Sequence, residues 1–578
     1  MLLLGLVVFC VAIFLRKQIE LREFWKHTIS KILFVALFIA FLSTVFSAMP
    51  IVATFGSFER GGGFIVLVFL FVWFLFNATI LDREFIDRCL KFSFAGASLL
   101  AFYALLQRLG VEIFFSNFDI DIFVKRSFSF VGNPSFLGQF LAAEFFVGFY
   151  LFLNSKRRSA QVIFAILLIN IFAGILVSEA RASLLALFFG IFLLSISYLK
   201  KNKVHFKKIV FGFFATVLVL AVLLPNISST RFGFKDTAYQ SLQSRLSIWS
   251  STVELIKKRP LFGYGFETFS IYFHDVVHKD FYKIEEDLNT SADRVHNEFL
   301  ELTYSAGIFA GVLYLFFILY IFKRYFFEKD QLKLFLLVVV LVNAIQNQLS
   351  FIDINTAVFL FFVLGALVAL ETSRHVVNFS RRVYELLLGI PASIVVFSSF
   401  IINPFMSQID YASSLAFRSI SHDAAVLYLK SAIYYTPQYS RLWYELIFLD
   451  ESSIPRALFY LDQIEHGSGN VIAWKANYLA EIEKKQSYDL FEELIARNPE
   501  RPNWLRAYAD ATFKNGDYAK SLELYEKYLN VIPDFWKWDD VASRSADQQK
   551  SHRVFFKYNS AVWDTVARYK KLQTLKAE

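Results

Sequence analysis

The chain has 578 residues, is 56% hydrophobic with 70 Phe, and carries a formal charge of +9, with a mean hydropathy of +0.47. That composition excludes an ordinary soluble enzyme and a disordered chain, and two cysteines, Cys10 and Cys89, exclude a disulfide scaffold or a cysteine-rich metal site. The charge is uneven, 37 Lys/Arg against 27 Asp/Glu in the first 402 residues and 22 against 23 in 403–578, which points to membrane topology and away from nucleic acid.

Apolar runs near 1–15, 32–48, 63–81, 91–108, 134–153, 160–177, 182–199, 208–224, 302–322, 332–350, 356–370 and 386–403 predict twelve spans, most of them close to the ~20 residues a bilayer requires. The first is short. Arg16 and Lys17 follow its apolar run instead of preceding it, so it reads as an uncleaved anchor or the remnant of a mis-set start, not as a cleaved signal peptide. Loops alternate in charge. Segments 16–31, 82–91, 154–159, 200–208, 323–333 and 371–385 hold 23 Lys/Arg, whereas 49–62, 109–133, 178–181 and 351–355 hold four: Arg60, Lys125, Arg126 and Arg181. The positive-inside rule makes the first set cytoplasmic. Both termini, the polar loop 225–301 and everything beyond 403 are then expected outside.

From about 408 the pattern becomes that of soluble amphipathic helices. Residues 502–536 resemble one tetratricopeptide repeat, with Trp504, Tyr508, Ala509, Gly516, Tyr518, Ala519, Leu522, Tyr525 and Pro533 near the offsets of that 34-residue unit. Ala509 and Ala519 are expected to let the paired helices approach closely. Segments 424–449 and 471–499 read as degenerate copies; the alternative is a helical domain without repeats. No catalytic constellation occurs there, so docking or scaffolding is expected. The fold class is all-α: a polytopic membrane bundle over 1–403, including the long loop 225–301, followed by a soluble helical repeat domain over 404–578.

The chemistry is expected at the outward ends of the helices. SRLSIW (244–249) and DRVHNEFLELTYSAG (293–307) place Arg245, Arg259, Arg294 and His296 in or beside the long loop. Arg181, in SEARASLLAL, follows an apolar span; an arginine there is functional, a snorkelling side chain, or paired with Glu179. Arg245 and Trp249 share a helix face by their i,i+4 spacing, either for an anion or as a surface pair. Arginine suits a diphosphate because its planar fork donates paired hydrogen bonds and stays charged. A neutral His296 can take a proton near neutral pH, with Asn297 and Glu298 orienting it or binding a sugar hydroxyl. Pro260, Gly263 and Gly265 form a tight turn that brings backbone amides toward a ligand, or simply turns the chain. Asn133, in GNPSFLGQF with Lys125 and Arg126 upstream, reads as a broken helix entry or as a plain proline helix start. Asp119 and Asp121 are too few carboxylates to specify a metal, and no nucleotide loop is present.

In order and spacing, SEARASLLAL, SRLSIWSSTVELIKKRPLFGYGFETF and DRVHNEFLELTYSAGIFAG resemble the O-antigen ligase and polymerase superfamily, most strongly over 178–312. The resemblance implies a GT-C-type enzyme of the bacterial cytoplasmic membrane. It would act on undecaprenyl-diphosphate-linked glycans, with Arg181 and Arg245 on the diphosphate and His296 as the essential histidine. Support is expected from Arg126, Asn133, Asn297, Glu298, Gly263 and Gly265, while Arg259 and Arg294 are expected to be solvated. The implied reaction is an inverting, metal-independent glycosyl transfer to an acceptor hydroxyl, without cofactor. Its partners are the lipid-linked donor, a glycan, lipid or protein acceptor, and a protein bound by the repeats. Ligase, repeat-unit polymerase and protein O-oligosaccharyltransferase remain open. Readings of other kinds are a lipid-linked glycan transporter, a non-catalytic assembly platform, or a metal-dependent transferase using Asp119 and Asp121.

Overall fold

The computed structural model describes residues 24–58, 60–113, 126–201, 237–285, 290–372, 403–532, 564–574 and 576. Among these, every regular element is helical. The first half runs α1 (Thr28–Val45), α2 (Pro50–Phe55), α3 (Phe64–Ile80), α4 (Arg83–Arg108), α5 (Pro134–Asn154), α6 (Arg158–Ser178) and α7 (Arg181–Lys201). In and after the long loop come α8 (Thr237–Lys258), α9 (Phe269–Tyr272), α10 (Lys279–Glu285), α11 (Glu298–Ala306), α12 (Ile308–Tyr325), α13 (Gln331–Gln346) and α14 (Ile354–Ala369). A C-terminal array follows: α15 (Asn403–Phe417), α16 (His422–Tyr435), α17 (Ser440–Leu449), α18 (Ile454–Ile464), α19 (Gly469–Leu479), α20 (Lys484–Arg497), α21 (Pro502–Lys514) and α22 (Tyr518–Val531).

Helices α1, α4, α5, α6 and α12 are long and apolar enough to cross a membrane, and α3, the Arg181–Ser197 part of α7, α13 and α14 are shorter apolar helices packed among them. Helix α13 is buried almost continuously from Leu332 to Asn343 and lies against α5 and α7, so it forms the centre of a membrane helix bundle. Helices α6 and α12 lie at the rim, where Ile163, Ile166, Ile169, Phe309, Val312, Phe316 and Leu319 are exposed. A helix apolar all round has no aqueous face, and at the rim of such a bundle the natural neighbour is lipid. Small residues let the backbones close up: a Cβ added at Gly174 of α6 would lie 2.8 Å from Ala101 Cβ of α4.

Spans 1–15 and 208–224 lie outside the described residues, as does 386–403 except for Asn403. Helix α4 begins at Arg83, earlier than expected, because Asp82 caps it by accepting from Phe85 N at 2.7 Å. The expected span 302–322 is not one helix: Gly307, at φ +84°, separates α11 from α12. A side chain there would collide with Leu261 O, so the break is also a close approach of the long loop.

The two ends of the bundle differ. One end is laced by surface charge, with Arg83 donating to both oxygens of Asp330 at 2.6 and 2.9 Å and Arg324 pairing with Glu371 at 2.5 Å. The other carries the long loop and the array. There Met49, Val52, Phe58 and Ile271 join Leu429, Trp443 and Leu446 in one core. Asn498 of the array donates to His274 O and Val277 O, each at 3.0 Å, and Glu500 pairs with Lys279 at 3.2 Å.

Within the array, successive helices pair across buried serines. Ser521 Oγ donates to Ala509 O at 3.0 Å and Ser487 Oγ to Ala476 O at 2.8 Å. Ala509 is buried as expected, but Ala519 is exposed. The helical phase turns it outward, and Ser521 makes the close approach in its place.

Candidate functional site

The site is built where α11 starts. Glu298 N donates to Asn347 O at 2.9 Å, which seats the helix on the end of α13. Asn297 caps it, accepting from Leu300 N at 3.0 Å and donating to Gln348 O at 3.3 Å. Its side chain is thus engaged by the helix start and the α13–α14 turn, and not by the imidazole it was expected to orient.

His296 precedes this cap and has a left-handed φ of +57°, a conformation that costs an L-residue ~1–2 kcal/mol. Its ring packs on Phe351, 5.2 Å between centroids. Trp249 Nε1 of α8 donates to Val295 O at 3.0 Å, which pins the helix carrying Arg245 to the residue beside His296. The Arg60 guanidinium lies over the same Phe351 ring, 4.5 Å from its centroid, and that of Arg294 lies 5.7 Å from it. Burial lowers the proton affinity of His296 to about 4; Asp293 opposes this, while Arg245, Arg60 and Arg294 reinforce it. The imidazole is therefore neutral at physiological pH, a proton acceptor ringed by cations. Beside it Glu298 is pushed up to about 7, first by burial and then by Glu301, with Arg294 opposing.

Arg294 corrects an expectation. It is not solvated: its guanidinium pairs with Glu267 and, at 3.4 Å, with Glu301. Glu301 also accepts from Val295 N at 2.9 Å, and Glu267 accepts from Ser57 Oγ at 2.8 Å. Arg294 is the tie between the α2–α3 loop, the long loop and α11. Arg259 is exposed, as expected, with its guanidinium 5.4 Å from the Tyr264 ring.

Gly263 and Gly265 do form the expected turn, at φ +69° and +98°. The amides there serve the fold. Tyr264 N and Gly265 N donate to Tyr304 O and Ser305 O at 3.0 and 2.9 Å, satisfying carbonyls that the end of α11 leaves open.

Arg181 is the first residue of α7. The carboxylate of Glu179 lies 3.5 Å from Arg108. Arg126 Nε donates to Ser178 O at 3.0 Å and its terminal nitrogen to Ser135 Oγ at 3.3 Å, tying the end of α6 to the start of α5. Asn133 caps α5, accepting from Ser135 N at 2.8 Å, with Pro134 at the first helical position; the proline helix start is the arrangement found. Lys125, Asp119 and Asp121 lie outside the described residues. A buried amide seam links these helix ends to α11: Gln346 Nε2 donates to Ser183 Oγ at 2.9 Å, and Gln139 Nε2 donates to Asn347 Oδ1.

One backbone feature marks this whole end of the molecule. Among the described residues, the non-glycine positions with left-handed φ are Ser129, Glu179, Glu267 and His296. All four lie at this end, beside Arg126, Arg181, Arg294 and the imidazole itself. Strained backbone of this kind concentrates at sites where geometry is imposed by function. Arg60, Phe351 and Glu267 were not singled out from the sequence. The available signal was Arg60 standing in a loop that ends in three consecutive glycines, Gly61–Gly63.

A comparison with curated proteins gives no match. Residues 163–315 match the family model described as O-Antigen ligase, a stretch that holds Arg181, Arg245 and His296, and the match supports a membrane enzyme of the O-antigen ligase superfamily.

Proposed function

We propose that the protein is a membrane glycosyltransferase of the O-antigen ligase type. It transfers a glycan from an undecaprenyl-diphosphate carrier to an acceptor hydroxyl outside the bacterial cytoplasmic membrane. The observation that carries this reading is the neutral His296, held on Phe351 among arginines, inside the stretch that matches the ligase family. His296 takes the acceptor's proton as its oxygen attacks the anomeric carbon, with inversion. Arg181 and Arg245 stabilise the charge that builds on the departing diphosphate, where fixed cations act most strongly.

The low proton affinity of His296 fits this cycle. Without donor, the arginines oppose its protonation. A bound diphosphate neutralises them, so the imidazole becomes a stronger base when the donor is in place. No metal is needed in these steps. The same residues serve ligase, polymerase and oligosaccharyltransferase chemistry alike, since these differ in the acceptor. The C-terminal array, read as tetratricopeptide-like, lies outside with the long loop and presents or recruits that acceptor's partner protein.

Purified protein should transfer glycan from the lipid diphosphate in the presence of a chelator, and His296→Ala should abolish transfer. Full activity in that variant rejects His296 as the base.

A further inference from the structure

Arg60 lies outside the ligase-matching stretch, on the loop between α2 and α3, yet that loop is built with unusual care. Gly56, Gly62 and Gly63 interlock so closely that a Cβ at Gly56 would lie 2.6 Å from the amides of the other two. A Cβ at Gly62 would collide with Glu267 and come within 3.0 Å of Arg294, so the loop lies against the ion pair that supports α11. Ser57 adds its hydrogen bond to Glu267. On the far side the array grips Phe58, whose ring sits 5.4 Å from Tyr411 and 5.5 Å from Tyr439. Arg60 is therefore delivered to one place by two independent anchors.

That place is the site. The guanidinium rests 4.5 Å from Phe351 and 6.0 Å from Phe136, and Phe351 is the ring that carries His296. Its counter-ion is Asp293, and the pair stays open to solvent, with 31% and 49% of the side chains exposed. An exposed ion pair of this kind holds with little net free energy, so a diphosphate with more charge and more acceptor oxygens can displace the carboxylate. Arg294, the neighbouring cation, is enclosed by Glu267 and Glu301 and has no such freedom.

We propose that Arg60 is a further ligand of the donor diphosphate, held ready by Asp293 and exchanged onto the phosphate oxygens when the donor binds beside His296. The proposal rests on the glycosyltransferase reading above. It makes the α2–α3 loop a wall of the donor site and gives the array a part in positioning it through Phe58.

The test uses the purified full chain, with undecaprenyl diphosphate and undecaprenyl monophosphate as binding probes. Arg60→Ala should weaken undecaprenyl diphosphate binding roughly tenfold, the scale of one lost charge-assisted hydrogen bond, with Arg60→Lys recovering part of it. The loss should be smaller for the monophosphate. Asp293→Asn should act in the opposite sense and tighten diphosphate binding, because it frees Arg60. If Arg60→Ala and Asp293→Asn weaken binding alike, the pair is only a structural tie and the proposal fails; unchanged binding in Arg60→Ala also overturns it. Glycan transfer by the unaltered protein, assayed in parallel, separates the two levels. No transfer there rejects the glycosyltransferase reading itself. Transfer present there, with diphosphate binding unaltered in Arg60→Ala, rejects the Arg60 assignment alone.

Discussion

The array and the loop-bearing end of the bundle both place glycines at left-handed positions, but among the described residues the loop-bearing end adds non-glycine residues to them. In the array, left-handed positions fall on glycines, Gly467 and Gly516, which adopt that conformation without penalty. At the other end, Ser129, Glu179, Glu267 and His296 adopt it, each at a cost of ~1–3 kcal/mol. The array also closes its buried polar groups over short spans, as Ser521 does on Ala509 and Ser487 on Ala476. The loop-bearing end spends buried charge over long spans, from Glu267 through Arg294 to Glu301. One region is shaped to be stable. The other holds His296 itself, and residues beside Arg126, Arg181 and Arg294, in a disfavoured backbone conformation, as a preorganised electrostatic site allows.

The largest effects that test this contrast are on activity. His296→Ala should lower transfer by ~10²–10⁴-fold, the usual worth of a general base, while thermal unfolding of the purified protein changes little. Arg245→Lys should lose ~10²-fold in kcat/KM, since a lysine keeps the charge but not the paired donors; an unchanged value would argue against fork-like recognition of the diphosphate.

A second group of effects concerns pH. Glu298 titrates near 7, so it is a neutral acid below that pH and a carboxylate above it. If the neutral form supports the site, transfer should fall as pH rises through about 7, and Glu298→Gln, which stays neutral, should remove that decline. A decline that persists in Glu298→Gln assigns it to another group.

The smallest effects are on stability and form a mirrored pair. Gly516, at φ +76° with nothing near its missing Cβ, should lose ~1 kcal/mol on replacement by Ala. Ser129→Gly should instead gain ~0.5–1 kcal/mol, because it relieves a left-handed L-residue whose buried hydroxyl has no partner. Losses in both would break the comparison. Ser521→Ala should cost the array ~1 kcal/mol and leave transfer unchanged.

Much of the bundle could be read from apolar runs, because helix length and hydrophobicity are properties of contiguous residues. The break at Gly307 could not, since the apolar run continues through it and the reason for the break is Leu261 arriving from the long loop. In the array, Trp504, Tyr508 and Tyr525, singled out by their repeat-like offsets, are buried. Ala519 was misread because small size alone does not say which way the helix phase turns a residue. At the site, the order of motifs pointed to Arg245 and His296, which the structure brings within each other's electrostatic reach. Arg60 and Glu267 escaped notice because a lone charge in a loop gives no hint of a partner brought in by packing. The turn at Gly263 and Gly265 was readable, but the destination of its amides was not, since the end of α11 that receives them lies some forty residues downstream.

The central claim is that His296 is a neutral base among cations, and the pH dependence of kcat/KM tests it most directly. The purified protein, with undecaprenyl-diphosphate-linked glycan as the proposed donor and a chelator present, should keep its activity down through pH 6 and lose it along a limb near the His296 value of about 4. The sign follows from the group: protonation removes the base, so activity falls as pH falls. A limb near the ordinary histidine value of ~6.5, or the same limb surviving in an active His296→Ala variant, would contradict the account.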